Sequence, residues 1–327
     1  MYLIEVKDVS KIFRLYKKAP GLIGAIRSVF SRKYTDFHAI SHISLHIEEG
    51  ELVGFIGPNG AGKTTTLKIL SGLLYPSTGS IQVGGYTPFE RKPDFLKKIS
   101  LVMGQKNQLW WDLPPMESFL LNKEIYQIPK KEFEDTLREL TDLLDVKEIL
   151  NIQVRNLSLG ERMKCELIAQ LLHNPRILFL DEPTIGLDVI MQKKLREFIR
   201  EYNKKYNATI ILTSHYMDDV KELCKRVIVI DHGQLLFDGA LSEVIKKYSQ
   251  KKLLSITFSR PYPLNELKKW GEIIFHTDQQ VNLEVERDKS NIVAAQLLKE
   301  YDIVDLNIEE PPIEEIIRSL FSEKKSI

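Results

Sequence analysis

The hydrophobic pattern along the chain changes its period several times. Residues 2 to 8 alternate apolar and polar side chains, and Ser41 to Glu48 (SHISLHIE) alternates more clearly, as strands with one buried face do. The first reads as an edge strand, so antiparallel strands are expected to open the chain. Short continuous apolar runs then appear at Leu52 to Ile56, Ile177 to Leu180, Ala208 to Leu212 and Val227 to Ile230. Runs without polar alternation are covered on both faces, the condition of a parallel sheet flanked by helices. Helical stretches stand between them at Lys63 to Leu73, Lys131 to Leu144, Gly160 to Leu172 and Val189 to Tyr202, and this alternation predicts an α/β core.

From about Asn107 to Asn174 no buried strand is legible, so this stretch reads as a mostly helical subdomain inserted between core strands, with Trp110, Trp111, Pro114 and Pro115 at its entrance. After Gly239 the order LLSITF, Leu264 to Trp270, EIIFHT, VNLEVE, Asn291 to Tyr301 and IVDLNI is βαββαβ, which predicts a small ferredoxin-like appendage. The expected division is therefore residues 1–240 and residues 241–327. A final helix from about Pro312 to Phe321 follows a double proline.

Charge removes options rather than adding them. The 46 basic and 45 acidic side chains nearly cancel, so net charge gives no reason to expect nucleic acid as a partner or an anionic membrane as a docking surface. Cys165 and Cys224, the two cysteines, have neither metal-ligand spacing nor a disulfide framework, which suits a reducing compartment. No apolar run reaches the roughly 18 to 20 residues that cross a bilayer, and Glu5 and Asp8 stand too early for a signal peptide. A chain of this kind that serves a membrane is expected to do so from outside the bilayer.

The sharpest local chemistry is Gly57-Pro58-Asn59-Gly60-Ala61-Gly62-Lys63-Thr64, which fits GxxxxGK[ST], follows the apolar run ELVGFI and opens the helix beginning Lys63-Thr64-Thr65. Glycines let the backbone turn its N–H groups toward a β-phosphate, the helix N-terminus adds partial positive charge, and Lys63 reaches the β and γ oxygens. Thr64 is the expected Mg²⁺ ligand. A second signal is RILFLDEP, where an apolar strand runs into Asp181 and Glu182 at the carboxyl end of the sheet, the edge where ligands of such folds gather. Asp181 would orient Mg²⁺ through water, and Glu182 would polarise the water that attacks the γ-phosphate. Taken alone, Glu182 reads equally well as a turn residue before Pro183.

Leu157 to Arg162 (LSLGER), shortly before the acidic strand, resembles the signature motif of ABC ATPases. The rest of that family's order is also present: Gln105 at the junction of sheet and helical subdomain, Gly186-Leu187-Asp188 after the carboxylates, and His215 directly after ATIILTS. The resemblance covers roughly residues 1–240. It implies a P-loop NTPase core of the ABC ATPase type, with an antiparallel β-subdomain and an inserted helical subdomain. It also implies two subunits that sandwich two ATP molecules head to tail. Ser158 and Gly160 would then contact the γ-phosphate bound by the opposite copy, Gln105 would sense Mg²⁺ and the attacking water, His215 would bond the γ-phosphate, and Asp188 would sit at the dimer seam. Phe13 aligns with the aromatic that stacks on adenine, with Tyr16 as a substitute.

The signature departs from the commoner LSGGQ, because Leu159 replaces a glycine and Glu161 replaces the glutamine. A carboxylate at position 161 would repel a triphosphate unless it faces Arg162 or solvent, so Glu161 is not assigned to the ligand. Two further segments have two readings each. Lys11 to Thr35 carries seven basic residues and no acid, with Leu22, Ile23, Ile26, Val29 and Phe30 on one helical face. It is either a membrane or permease contact, or a helix packed on its own domain. Trp110-Trp111-Asp112-Leu113-Pro114 is either an anchor for a membrane subunit's coupling helix or a plug inside the helical subdomain. The ending EPPIEEIIRSLF resembles ATPases that serve ABC-2-type exporters. The expected function is a transport ATPase on the cytoplasmic side of the membrane, working as a homodimer beneath separate permease subunits. A soluble ABC ATPase acting on ribosomes or DNA is disfavoured by the single P-loop and the lack of a long heptad tract. A nucleotide-binding regulator with weak hydrolysis is the third reading.

Overall fold

Three sheets organise the chain, which clusters into two compact units, Met1–Asp238 and Gly239–Ile327. The computed structural model describes residues 2–16, 34–104, 106–248 and 250–311, together with Ile316, Ile317 and Leu320. The amphipathic reading of Gly21 to Lys33 and the site reading of Gln105 lie outside the described residues. So does most of the Pro312 to Phe321 segment, in which Ile316, Ile317 and Leu320 are helical and buried.

The first unit opens with β1 (Tyr2–Tyr16) and β2 (Tyr34–Glu48), antiparallel along their length. Then come β3 (Leu52–Ile56), α1 (Lys63–Leu70), β4 (Thr78–Val83), α2 (Pro93–Leu96) and β5 (Ile99–Met103). The helical part holds α3 (Pro115–Tyr126), α4 (Lys130–Leu144) and α5 (Leu159–Leu171). The chain returns to the sheet through β6 (Ile177–Asp181), α6 (Val189–Tyr206), β7 (Thr209–Thr213), α7 (Met217–Leu223), β8 (Arg226–Asp231) and β9 (Gln234–Ala240).

The sheet order is β5-β6-β7-β3-β8-β9, with parallel pairing from β5 through β8, as the continuous apolar runs require. The smaller sheet is β2-β1-β4, so β1 is its middle strand and not an edge. Its far partner, β4, lies some seventy residues on in sequence, and alternation in β1 could not reveal it. One core joins the two sheets: Ile4, Val6, Ile43, Leu45 and Ile47 pack with Phe55, Phe179, Ile228, Ile230 and the α1 residues Leu67 and Leu70. Fully burying side chains of this size contributes about 1.5–3 kcal/mol each before conformational entropy is subtracted.

Several elements escaped the hydrophobic pattern, among them β5, β4 and α3. Ser100 interrupts β5, its hydroxyl donating to Gln170 Oε1 at 3.3 Å, so no unbroken apolar run marks that strand. Half-exposed β4 carries buried side chains only at Ile81 and Val83. In α3, Phe119 is buried while Leu120, Leu121 and Ile125 are exposed, so the apolar residues trace no single stripe. Helix α6 continues past Tyr202 to Tyr206 and stops at Asn207, whose φ of 47° is the left-handed conformation asparagine tolerates at a helix end.

In the second unit, α8 (Leu241–Tyr248) precedes β10 (Lys251–Phe258), α9 (Leu264–Leu267), β11 (Glu272–His276), β12 (Gln280–Glu286), α10 (Ser290–Glu300) and β13 (Ile303–Glu309). Its sheet runs β11-β12-β10-β13, antiparallel throughout. Leu254, Ile256, Phe258, Val281, Leu283 and Val285 face Leu267, Val293, Ala294 and Leu297 of the two helices. Among the described residues no helix is long and apolar enough to cross a membrane.

Candidate active site

The carboxyl ends of β3, β6 and β7 bring the chemistry of the first unit to one edge of the parallel sheet. The loop from Gly57 to Gly62 leaves β3 and enters α1 at Lys63, with Ala61 N–H donating to Pro58 O at 3.1 Å and Thr66 N–H to Gly62 O at 2.9 Å. Gly62 has φ of 107°, and a Cβ there would stand 2.6 Å from Ala39 O on β2, so only glycine lets the loop pass that strand. A methyl group at Gly60 would meet nothing within 4 Å, which leaves the outer face of the loop open for a ligand.

Lys63 is buried and folds back over the loop, its Nζ donating to Gly57 O at 2.6 Å and Pro58 O at 3.1 Å. Burial lowers its pKa from the ordinary lysine value, and the charges of Glu182 and Asp181 oppose that. Among the described residues its hydrogen bonds go to carbonyl oxygens, which phosphate oxygens can replace. Next to it, Thr64 Oγ1 donates to Asp181 Oδ2 at 2.8 Å, while Thr213 Oγ1 donates to Asp181 Oδ1 at 2.8 Å. Asp181 and Thr213 are register partners on parallel neighbours β6 and β7, as Met103 and Asp181 are on β5 and β6.

Glu182 leaves β6 with φ of 54°, a left-handed conformation that costs a non-glycine residue about 1–3 kcal/mol. The turn is held by its N–H, which donates to Thr213 O at 3.1 Å and Thr213 Oγ1 at 3.0 Å. The bent backbone delivers the carboxylate to His215, with Nε2 and Oε1 2.6 Å apart. Gly104, at the end of β5, donates to Asp181 O at 2.9 Å, and a Cβ on it would stand 2.1 Å from Glu182 O. Gly104 is therefore pressed directly onto the acidic strand end.

Sequence reading missed Thr213 and Gly104; the polar pair Thr213-Ser214 closing an apolar strand was the available signal for the first. No cluster of three or more His, Cys, Asp or Glu side chains suited to a metal occurs among the described residues. The Thr64 and Asp181 oxygens fit a sparser need, that of Mg²⁺, which takes one or two protein oxygens and completes its shell with phosphate and water.

Ser158 and Gly160 lie elsewhere on the same unit, and among the described residues no hydrogen bond joins them to the Gly57–Thr65 loop. Ser158 is the N-cap of α5, and Glu161 completes a capping box: its Oε2 accepts from Ser158 N–H at 2.8 Å and Oγ–H at 2.7 Å. Helix capping gives Glu161 a role, one that a glutamine at this position would also fill, and the two serine donors hold its pKa below the usual carboxylate range. Leu159 extends toward Gly186, occupying the space a side chain there would need. Asp188 caps α6, accepting from Met191 N–H at 2.9 Å. Phe13 is half-buried on β1, opposite Phe37, with Lys11 Nζ 5.0 Å above its ring.

Trp110 and Trp111 are 59 % and 49 % exposed, so they do not plug the helical subdomain. Their turn is fixed from below, Arg155 N–H donating to Trp111 O at 3.0 Å and Arg155 Nη1 to Asp112 Oδ1 at 3.1 Å. Leu113, Leu120, Leu121, Ile125 and Ile152 are also exposed in the helical part.

Residues 40–185 match the ABC transporter family model, and residues 250–309 match the model of the EvrA-like ABC transporter C-terminal domain. The chain is 32 % identical over 234 residues to the ABC transporter ATP-binding protein NatA of Bacillus subtilis (strain 168), spanning 70 % of this chain and 95 % of NatA. It belongs to the ATP-binding proteins of the ABC transporter family. This ABC ATPase is also 33 % identical over 223 residues to the bacitracin transport ATP-binding protein BcrA of Bacillus licheniformis, across 68 % of the chain and 71 % of BcrA.

Among solved structures, the ATP-binding subunit of an ABC transporter superposes with a TM-score of 0.63 at 25 % identity, over 75 % of this chain and 93 % of the other. A dimeric ATP-binding cassette in a post-hydrolysis state with ADP and phosphate shares the fold, with a TM-score of 0.60 at 23 % identity over 73 % and 98 % of the two chains. The fold is that of a P-loop ABC ATPase, and the activity of this ABC ATPase is ATP hydrolysis that energises transport by a membrane permease.

Proposed function

We propose that this ABC ATPase hydrolyses ATP between two identical copies of itself, docked on the cytoplasmic side of the membrane beneath separate permease subunits that export their substrate. The observation that carries the proposal is the meeting of Lys63, the Thr64–Asp181 pair and the Glu182–His215 pair at one sheet edge. Backbone N–H groups of Gly57, Pro58-Asn59-Gly60-Ala61 and Gly62 to Thr65, proline excepted, wrap the phosphates, with Lys63 on the β and γ oxygens and Phe13 under the adenine. Thr64, Asp181 and Gln105 would hold Mg²⁺, which would supply neutralising charge on the phosphate oxygens. Glu182 accepts a proton from the attacking water. His215 bonds both Glu182 and the γ-phosphate, and Gln105 reports the state of the site to the helical subdomain.

The composite site finds support at Gly160. A methyl group there would meet only Met191 and Leu187 carbons at 3.5 to 4.0 Å, so this chain's own packing does not require glycine. Close approach of a phosphate to the start of α5 does require it, and that helix end offers favourable dipole to an anion. The exposed Trp110 and Trp111 make the helical subdomain the permease-docking face, since large aromatics on a rigid turn are apt anchors. The second unit, with residues 241–327 as its span, is a ferredoxin-like accessory domain following an ATP-binding domain of residues 1–240. Export is supported by the relative named for bacitracin transport.

The test is complementation. Lys63→Ala and Ser158→Ala subunits are each inactive as homodimers. Mixed in one assembly, they regain one intact composite site and about half the turnover of a parental dimer wherever the two copies pair. No recovery in a verified mixed dimer overturns the composite site.

A further inference from the structure

We infer that Asp219 is a positioning residue for ATP hydrolysis, a single buried carboxylate that sets the relative geometry of the segments bearing Glu182, His215 and Asp188. The inference rests on the reading of the site proposed above. Asp219 is fully buried, on α7 four residues after His215. Its Oδ2 accepts from two hydroxyls at once, Thr184 Oγ1 at 2.6 Å and Ser214 Oγ at 2.6 Å. Thr184 lies two residues beyond Glu182, and Ser214 immediately precedes His215. Ser214 Oγ also accepts from Tyr216 N–H at 3.0 Å, so it clasps His215 from both sides in sequence. The other carboxylate oxygen accepts from Arg196 Nη1 at 3.0 Å. Arg196 is itself buried on α6, the helix capped by Asp188, and it also pairs with Glu222 at 3.2 Å.

Three segments from different places in the chain therefore converge on one group that touches neither phosphate nor water in the proposed site. The strained turn at Glu182 shows why such a tie is needed. Its backbone has a left-handed φ, and the 2.6 Å approach of Glu182 to His215 holds only if residues 182–184 and 214–216 keep their spacing. Stability gives no separate reason for the cluster, because a buried ion pair is often no better than apolar residues of the same volume. Geometry is what the cluster provides.

The experiment uses the full-length chain. Asp219→Asn preserves shape and one acceptor but removes the charge that both hydroxyls and Arg196 address. We expect kcat to fall by about 10- to 100-fold, as for other residues that orient a reacting group, with KM for ATP and the affinity for a fluorescent ATP analogue within about two-fold of the parent. Thr184→Val with Ser214→Ala reproduces the fall, and adding Asp219→Asn to that pair lowers kcat little further, because the ties to the segments bearing Glu182 and His215 are already gone and only the Arg196 contact is left to lose. Asp219→Asn with Arg196→Met, which removes the buried arginine left with Glu222 as its remaining carboxylate, leaves kcat low.

Parental kcat in folded Asp219→Asn overturns the inference. So does recovery of kcat in the Asp219→Asn, Arg196→Met double variant, since that assigns the defect to an arginine charge left undercompensated in the interior. Should Asp219→Asn not fold, the Thr184→Val and Ser214→Ala variants decide: each lowers kcat, and parental kcat in both overturns the inference. Glu182→Gln is measured alongside. If it hydrolyses ATP at the parental rate, the reading of the site fails; if it is inactive, a negative result at Asp219 counts against the inference alone.

Discussion

Glu166 provides a quantitative test of how burial acts in the signature helix. It lies on α5, 1 % exposed, where an apolar residue would suffice for packing. Desolvation pushes its pKa from 4.5 up to about 7, opposed by the N–H of Gln108 at 3.3 Å and by Arg162, 3.7 Å away. The native state therefore binds a proton more tightly than the unfolded chain does. The stabilising effect of the protonated form is complete below the unfolded value near 4.5 and is lost as pH rises to about 7. A separation of about 2.5 pH units at 1.36 kcal/mol each amounts to roughly 3 kcal/mol.

Glu166→Gln stays neutral at every pH and still accepts from Gln108 N–H. It should be more stable than the parent by roughly 3 kcal/mol at pH 8 but by under roughly 1 kcal/mol at pH 5. The assay is urea unfolding from pH 5 to 8 in a Trp270→Phe background, so that Trp110 and Trp111 report on the first unit alone. The difference between the two proteins is the readout, which cancels other titrating groups. A difference that does not change with pH, or that shrinks as pH rises, would refute the reasoning.

Three further outcomes follow from the geometry. Gly62→Ala, which must place a Cβ 2.6 Å from Ala39 O at a φ of 107°, should abolish ATP binding; parental affinity for a fluorescent ATP analogue would contradict it. Ser158→Ala removes the α5 cap and should cost about 1 kcal/mol, a fall of about 2–4 °C in Tm, while Glu161→Gln keeps the reciprocal bonds and changes Tm little. Equal Tm for the two variants would contradict the capping role. Trp111→Ala, at a half-exposed position, should leave stability within about 0.5 kcal/mol but lower permease-stimulated ATP turnover; full coupling in the complex would reject the docking face.

Local order fixed what is local. The glycine loop follows an apolar run and opens a helix, so its phosphate-binding character is legible from consecutive residues. Asp181 and Glu182 are legible for the same reason, as the polar end of an apolar strand. Ser158 and Glu161 also form a readable pattern, because a serine followed three residues later by glutamate at a helix start is a capping box. Read only as a departure from LSGGQ, Glu161 remained a charge without a role until the α5 geometry supplied one.

Tertiary structure decided everything that depends on strand neighbours and burial. Sequence alternation shows that β1 has a buried face, but only the pairing with β4 makes it a central strand. The Thr213–Asp181 bond exists because β6 and β7 are parallel neighbours in register, and the ties of Asp219 span 35 residues to Thr184 and 23 to Arg196. Exposure of Trp110 and Trp111 likewise depends on which side of the 110–113 turn the Arg155 segment covers. The sequence by itself thus marked the candidate groups for binding and hydrolysing a triphosphate, since backbone turns and strand ends act over a few residues. Their spacing was set by the fold, because hydrogen bonds and burial act through space between segments that the chain order leaves far apart.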